Sequence, residues 1–191
     1  DGSKDADLAL STAVDIATGT NSELHLSTAA PGRPDPVYAS HEMGFHWETY
    51  EEALEAVKKD AQDILDEQVR KVQEAGGTVA GAHLKTEERK DMAIVNLADQ
   101  LGAGLIVMGS RGLGGIRRAL MGSVSDSVVR HAHCPVMVVR AEAVEFPTKI
   151  LVATDRSREA QLAAKTAADL AKSTNSELHI VHVGFEQSTD E

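Results

Sequence analysis

Cysteine is almost missing from this sequence: Cys134 is the only one among 191 residues. An intramolecular disulfide is therefore excluded, and a reducing compartment is indicated, with the cytoplasm as the default. Aromatic residues make up only 3% of the chain, too few for a surface that stacks the bases of single-stranded nucleic acid. The formal net charge of -11 also disfavours a nucleic-acid backbone as the main partner.

Long apolar runs are scarce as well. None approaches the roughly 20 residues that a membrane-spanning helix needs, and the first residues do not have the pattern of a signal peptide. The sequence therefore predicts no membrane association. Hydrophobic residues still make up 42% of the chain, which is enough for the core of one full domain, or of one domain and part of another.

Glycine and positive charge are concentrated in one stretch, from Gly109 to Ser125. It contains five glycines and three arginines, and no acidic residue lies between Asp99 and Asp126. It follows the apolar run 105–108, which predicts a buried strand. A glycine-rich turn between a strand and a helix lets phosphate oxygens approach backbone N–H groups. A flexible loop with arginines for solubility is the alternative, but the position after a strand favours an anion site.

Other motifs are less consistent with this stretch. It has no lysine in the spacing of a P-loop, although Arg111, Arg117 and Arg118 could take part of that role. It has no G-x-S-x-G elbow for acyl transfer. Asp126 is the nearest candidate for a base, and an acidic residue in the first turn of a helix explains it as well. Binding is therefore better supported than turnover.

Strands and helices alternate along the chain, which predicts βα units and a parallel sheet. The hydrophobic periodicity predicts helices at 4–19, 54–72, 90–101 and 123–131, and strands at 23–29, 78–84, 105–108 and 136–139.

Residues 155–183 repeat residues 1–29 at a constant offset of 154, including the shared hexapeptide TNSELH. A repeat of this length indicates duplicated domains. The second copy follows an evident strand, 149–154, which the first copy lacks. We therefore predict the following division: a first domain at 1–140 without its first strand, a linker at 141–148, the opening βαβ unit of a second domain at 149–183, and a tail at 184–191.

Three explanations of the missing strand stay open: a fragment, residues absent upstream, or completion of the sheet by the strand 149–154 of the same or a partner chain. His131, His133 and Cys134 are donor types suited to zinc. No fourth ligand follows at a recognisable spacing, so a role at the end of a helix and the start of a strand is the simpler interpretation.

With these motifs assembled, the sequence resembles the universal stress proteins, in the nucleotide-binding branch of that family. The resemblance lies in Asp1-Gly2-Ser3 and its repeat in 153–157 (ATDRS), in LIVMGS at 105–110, in Gly109, Gly112 and Gly122-Ser123 at the spacing G-x2-G-x9-G, and in HCPVMVV at 133–139.

This resemblance implies a Rossmann-like α/β fold of the adenine nucleotide alpha-hydrolase type. Its open parallel sheet has helices on both faces and the strand order 3-2-1-4-5, and it binds ATP, with Mg²⁺ as an accompanying ion, at the carboxyl ends of the strands. The family also pairs its last strands across a two-fold axis. Val136–Val139 is thus expected to form a homodimer or a pseudo-dimer within the chain.

The family's site residues map onto this sequence by motif. Asp1 and Ala29 are expected near the adenine or ribose, Met108 and Gly109 along the pocket, and Arg111 and Gly112 beside the ribose and phosphates. The phosphates are expected to be bound through N–H and hydroxyl groups at the start of the last helix, namely those of Gly122, Ser123, Val124 and Ser125. No catalytic or metal-ligating residue is predicted.

The leading hypothesis is a cytoplasmic ATP-binding stress-response protein that acts as a nucleotide-dependent regulatory or protective module. A slow ATPase or nucleotidyl-transfer enzyme is one alternative, and a nucleotide-free dimeric interaction scaffold is another.

Overall fold

The computed structural model describes residues 1–30, 50–86, 88–112, 121–140 and 148–182. Within these ranges the chain forms five helices and six strands. The helices are α1 (Lys4–Thr20), α2 (Tyr50–Glu74), α3 (Lys90–Leu101), α4 (Ser123–His131) and α5 (Arg158–Thr174), and the strands are β1 (His25–Ala29), β2 (Gly81–Lys85), β3 (Ile106–Gly109), β4 (Val136–Val139), β5 (Lys149–Thr154) and β6 (Glu177–His182). None of these helices is long and apolar enough to cross a bilayer.

The types and order of these elements agree with the hydrophobic pattern, and the differences lie at their ends. The predicted strand that starts at Thr78 begins instead at Gly81, because its pairing with β1 starts there, opposite His25. Helix α2 begins at Tyr50, one turn before the predicted Leu54. The central part of the glycine-rich stretch, 113–120, lies outside the described residues.

The strands form three separate two-stranded parallel sheets, which pair β1 with β2, β3 with β4, and β5 with β6. The first two pairs are the neighbours that the order 3-2-1-4-5 expects on either side of its central strand. The single five-stranded sheet is not observed, because no strand in the described ranges joins these two pairs. The complete order therefore stays a prediction. Strand β5 pairs with β6, so it does not complete the first sheet within this chain.

Two apolar clusters pack the helices and strands that are described within residues 1–140. Leu26 of β1 packs against Leu65 and Val72 of α2. In the second cluster, Ile106 of β3 packs with Val128 of α4 and with side chains of α3. Both clusters use the apolar face of an amphipathic helix to cover a strand, which is the arrangement that an α/β fold requires.

The sequence repeat is also a structural repeat at the starts of α1 and α5. Ser3 and Ser157 are the N-cap residues, and each hydroxyl accepts the N–H of the residue three positions later, at 3.2 and 3.1 Å. The residues before them, Gly2 and Arg156, share a left-handed backbone, with φ of 71° and 72°. The two copies therefore adopt the same turn.

The two copies differ in what covers their strands. Leu26 is 8% exposed beneath α2, whereas Ile180, at the equivalent position of β6, is 64% exposed. Leu151 and Leu162 are likewise exposed in the second copy. No helix equivalent to α2 covers β5 and β6 among the described residues, so this βαβ unit buries little apolar surface by itself.

Two histidines face each other across β1 and β2. Nδ1 of His25 lies 3.2 Å from Nε2 of His83, and Glu23 lies 3.5 Å from the other nitrogen of His25. Both rings occupy the space above Gly81, where a Cβ would lie 2.7 and 2.8 Å from these two nitrogens. Desolvation, followed by the charges of His25 and Lys85, lowers the pKa of His83 below its usual 6.5.

This histidine pair predicts that the folded state loses stability in mild acid. Because the pKa of His83 is lower in the folded than in the unfolded chain, its contribution is present above pH 6.5 and is lost as the pH falls through the folded value. Urea unfolding between pH 7.5 and 5 should show this fall, and His83→Gln should flatten it. His179→Gln, at an exposed histidine of β6, is the control and should leave the slope unchanged. Equal slopes in all three proteins would contradict the assignment.

Candidate functional site

The two residues that follow β3 lie between the carboxyl end of that strand and the starts of α1 and α4. The N–H of Ser110 donates to the carbonyl oxygen of Val139 at 2.7 Å. The carbonyl oxygen of Ser110 accepts the N–H of Gly122 at 2.7 Å and the hydroxyl of Ser125 at 2.8 Å. These bonds join the described residues at the two ends of the glycine-rich stretch, on either side of 113–120.

The first turn of α1 contacts the same dipeptide. Oδ2 of Asp5 accepts the hydroxyl of Ser110 at 2.5 Å and the N–H of Arg111 at 3.1 Å, and Nε of Arg111 lies 3.9 Å away. The hydroxyl of Ser3 lies 3.2 Å from the carbonyl oxygen of Arg111. The start of the glycine-rich loop is thus bonded to α1 at both of these residues.

Asp1 lies directly beside Gly112. Its Oδ1 accepts the N–H of Ser3 at 3.2 Å and lies 2.7 Å from the Ser3 hydroxyl, and these contacts orient the carboxylate. A Cβ on Gly112 would overlap the other carboxylate oxygen. Two residues that are 111 positions apart therefore meet at one edge, as the resemblance implies.

The start of α4 supplies backbone donors at this edge. Its first intrahelical hydrogen bond runs from the N–H of Asp126 to the carbonyl oxygen of Gly122, at 2.9 Å. The N–H groups of Ser123, Val124 and Ser125 come before that bond and have no acceptor within the helix. Together with the helix dipole they make a position that attracts an anion.

The structure gathers seven of the ten predicted site residues around this edge. They are Asp1, Gly109, Arg111, Gly112, Gly122, Ser123 and Ser125. The hydroxyl of Ser125 donates to the carbonyl oxygens of Ser110 and Gly122, which leaves its N–H rather than its side chain for a ligand.

The other three predicted residues are placed differently. The side chains of Met108 and Val124 pack against the core around Val128, so only their backbones reach the edge. Ala29 ends β1, opposite Lys85, in a separate two-stranded sheet. Within the described part of the chain, no hydrogen bond connects Ala29 to the glycine-rich stretch.

The three residues considered for zinc have different partners. Nδ1 of His131 lies 2.7 Å from the carbonyl oxygen of Ser127, and Nδ1 of His133 lies 3.0 Å from the carboxylate of Asp99. Cys134 packs against the core, and burial raises the pKa of its thiol. These contacts fit a role at the end of α4 and the start of β4.

Sequence reasoning missed two buried carboxylates that join elements. Asp5 was indistinguishable from an ordinary acidic residue in the first turn of a helix. Asp91, at the start of α3, accepts the hydroxyl of Ser127 on α4 at 2.6 Å and pairs with Arg89. The Ser127 hydrogen bond is the main reason why the pKa of Asp91 is lowered. Neither carboxylate has a partner at a spacing that a motif would reveal.

Comparison with known proteins gives one consistent family. The family model described as the universal stress protein family matches residues 1–140 and 147–190. A Staphylococcus haemolyticus protein assigned to the universal stress proteins is 31% identical over 159 residues, which cover 83% of this chain and 92% of that protein.

Solved structures show the same likeness. The universal stress protein UspA of Lactobacillus plantarum superposes with a TM-score of 0.57 at 25% identity, over 73% of this chain and 92% of its own. A universal stress protein of Archaeoglobus fulgidus superposes with a TM-score of 0.66 at 20% identity, over 95% of this chain and 64% of its own. The second likeness concerns the fold alone.

Proposed function

The chain belongs to the universal stress protein family, and from this premise we propose that it binds ATP as a nucleotide-dependent regulatory or protective module of the stress response. The observation that carries the proposal is the meeting of Asp1, Gly112 and the start of α4 around one loop whose ends are joined by hydrogen bonds. Asp1 and Gly112 suit the sugar of an adenine nucleotide, and the start of α4 suits its phosphates.

The phosphates would lie at the start of α4. Three successive N–H groups there have no acceptor within the helix, and the helix dipole adds a partial positive charge. Gly122, the N-cap residue, has no side chain that could occupy this position, as a serine or aspartate N-cap would. The cap is thus left for a ligand oxygen.

The sugar would lie beside Asp1 and Gly112. A carboxylate oxygen is a good acceptor for ribose hydroxyl groups, and the missing Cβ at Gly112 leaves room for the Asp1 carboxylate at this position. A Mg²⁺ ion binds through one or two carboxylates together with phosphate oxygens and water. Asp1 therefore fits a Mg²⁺ ion that arrives with ATP better than one bound by the protein alone.

Two further parts of the proposal concern assembly and location. Strand β4 pairs with β3 along one edge, and no strand in the described part of the chain covers its other edge. This uncovered edge supports the proposed homodimer, in which Val136–Val139 would pair with the same strand of a second copy. The single cysteine, a free thiol, suits the reducing cytoplasm.

Titration of the purified protein with ATP tests the proposal. A ligand present at one hundred times its dissociation constant stabilises the folded state by about 2.7 kcal/mol, so ATP should raise the unfolding temperature and give a saturable calorimetric signal. Inorganic phosphate at the same concentration is the control and should do neither. Millimolar ATP that changes neither the unfolding temperature nor the heat of mixing would exclude the site and favour a nucleotide-free scaffold.

A further inference from the structure

We infer that Asp5 is the positioning residue of the glycine-rich loop. From the first turn of α1 its carboxylate fixes Ser110 and Arg111, and through them it sets where Asp1 and the start of α4 stand relative to each other. The inference rests on the proposed function where it concerns ATP, and on contacts within the protein where it concerns the loop itself.

The Asp5 carboxylate is buried, and one of its oxygens bonds to the residues that follow β3. The residue is 6% exposed, and its hydrogen-bond partner Ser110 is completely buried. One oxygen, Oδ2, accepts both the Ser110 hydroxyl and the Arg111 N–H. Hydrogen bonds to a charged acceptor are stronger than neutral ones, and their loss leaves buried donors without a partner. This link is therefore stiff.

Removing the Asp5 carboxylate would break one of the hydrogen bonds that hold Ser110 in place. Ser110 is held at its N–H by Val139, at its carbonyl oxygen by Gly122 and Ser125, and at its hydroxyl by Asp5. The hydroxyl bond is the one that joins this set to α1. Without it, the peptide between Ser110 and Arg111 is held less firmly, and the acceptor of the Gly122 N–H is less fixed.

The charge of Asp5 is partly balanced within the protein. Its bonded oxygen faces the Ser110 hydroxyl, the Arg111 N–H and, at 3.9 Å, Nε of the Arg111 guanidinium. The second copy of the repeat shows the contrast. Glu159, at the position equivalent to Asp5, is exposed, and no glycine-rich loop is described next to α5. The start of the helix by itself therefore does not bury a carboxylate at this position.

The test compares Asp5→Ala with Asp7→Ala by calorimetry with ATP and with adenosine. Asp7 shares the first turn and the dipole of α1 but pairs with Lys71 at 3.0 Å, away from the loop. Asp5→Ala should weaken ATP binding about tenfold and adenosine binding less than twofold, because only ATP uses the phosphate position. Asp7→Ala should change neither. An equal loss for both ligands, or no loss in a folded Asp5→Ala protein, would overturn the inference.

Amide hydrogen exchange of the ligand-free protein separates this inference from the proposed function. Asp5→Ala should speed exchange at Arg111 and Gly122 by tenfold or more, while Asp7→Ala should not. If the wild-type protein binds no ATP, the proposed function fails, but the exchange rates still decide whether Asp5 fixes Ser110 and Arg111. If Asp5→Ala does not fold, Ser110→Ala removes the hydroxyl bond alone and should speed exchange at Gly122. Unchanged exchange at Gly122 in that variant would contradict the inference.

Discussion

Replacement of Gly109 by alanine is expected to lower the free energy of unfolding by about 3 kcal/mol, the upper end of what overpacking costs. A Cβ at this position would lie 2.7 Å from the carbonyl carbon of Asp5 and 2.8 Å from the backbone nitrogen of Ala6. Both are backbone atoms of α1, which cannot turn aside as a flexible side chain can. The helix would have to move away from β3 as a whole.

Thermal unfolding measures this effect, and the unfolding temperature should fall by roughly 10 °C. Gly104→Ala is the matched control, because a Cβ there meets no atom within 4 Å and the backbone is not left-handed. Its unfolding temperature should stay close to that of the wild-type protein. Equal temperatures for the two variants would show that α1 and β3 are not in backbone contact.

Valine in place of Gly112 is expected to weaken ATP binding by about 30-fold or more, which corresponds to the loss of about 2 kcal/mol from one hydrogen bond to a charged group. The new Cβ would overlap the Asp1 carboxylate, and the branched side chain would fill the space beside it. Because Gly112 is exposed and the obstacle is a movable side chain, the fold should survive.

Isothermal titration with ATP gives the affinity, and circular dichroism checks the fold. Gly104→Val adds the same side chain at an open, exposed position and should bind ATP normally. Gly122→Val should also block binding, but a Cβ there lies 3.3 Å from the Ser110 carbonyl oxygen, so it should lower stability as well. Retained affinity in both Gly112→Val and Gly122→Val would place the nucleotide elsewhere.

Local signals in the sequence were sufficient for most of the fold. Ser3 and Ser157 begin their helices as N-caps, and Asn21 and Asn175 end them in the left-handed conformation, as such residues commonly do. The arrangement of strands depends on more than local pattern. A single sheet needs a central strand between β1 and β3. The hydrophobic pattern of the described residues does not predict a strand at that place.

The site was only partly accessible from the sequence. The glycine spacing identified the loop, because glycine is required where backbone approaches closely. Met108 lies two positions from Ile106. Because side chains alternate between the faces of a strand, both side chains point to the same face, towards the core. The hydrogen bond between Asp5 and Ser110 joins residues 105 positions apart, and no residue next to either of them in the sequence indicates this contact. Such a contact follows from the packing of α1 on β3.

The left-handed turn before Ser157 has a consequence for recognising related sites. Arg156 adopts a backbone that costs an L-residue with a side chain about 1–2 kcal/mol, whereas Gly2 adopts it freely. The turn thus persists where its residue disfavours it and where no glycine-rich loop is described beside it. Its shape is inherent in the aspartate and serine that flank it. A matching Asp-x-Ser segment in another chain therefore predicts this turn, whereas a ligand site also depends on the strand end that packs against it.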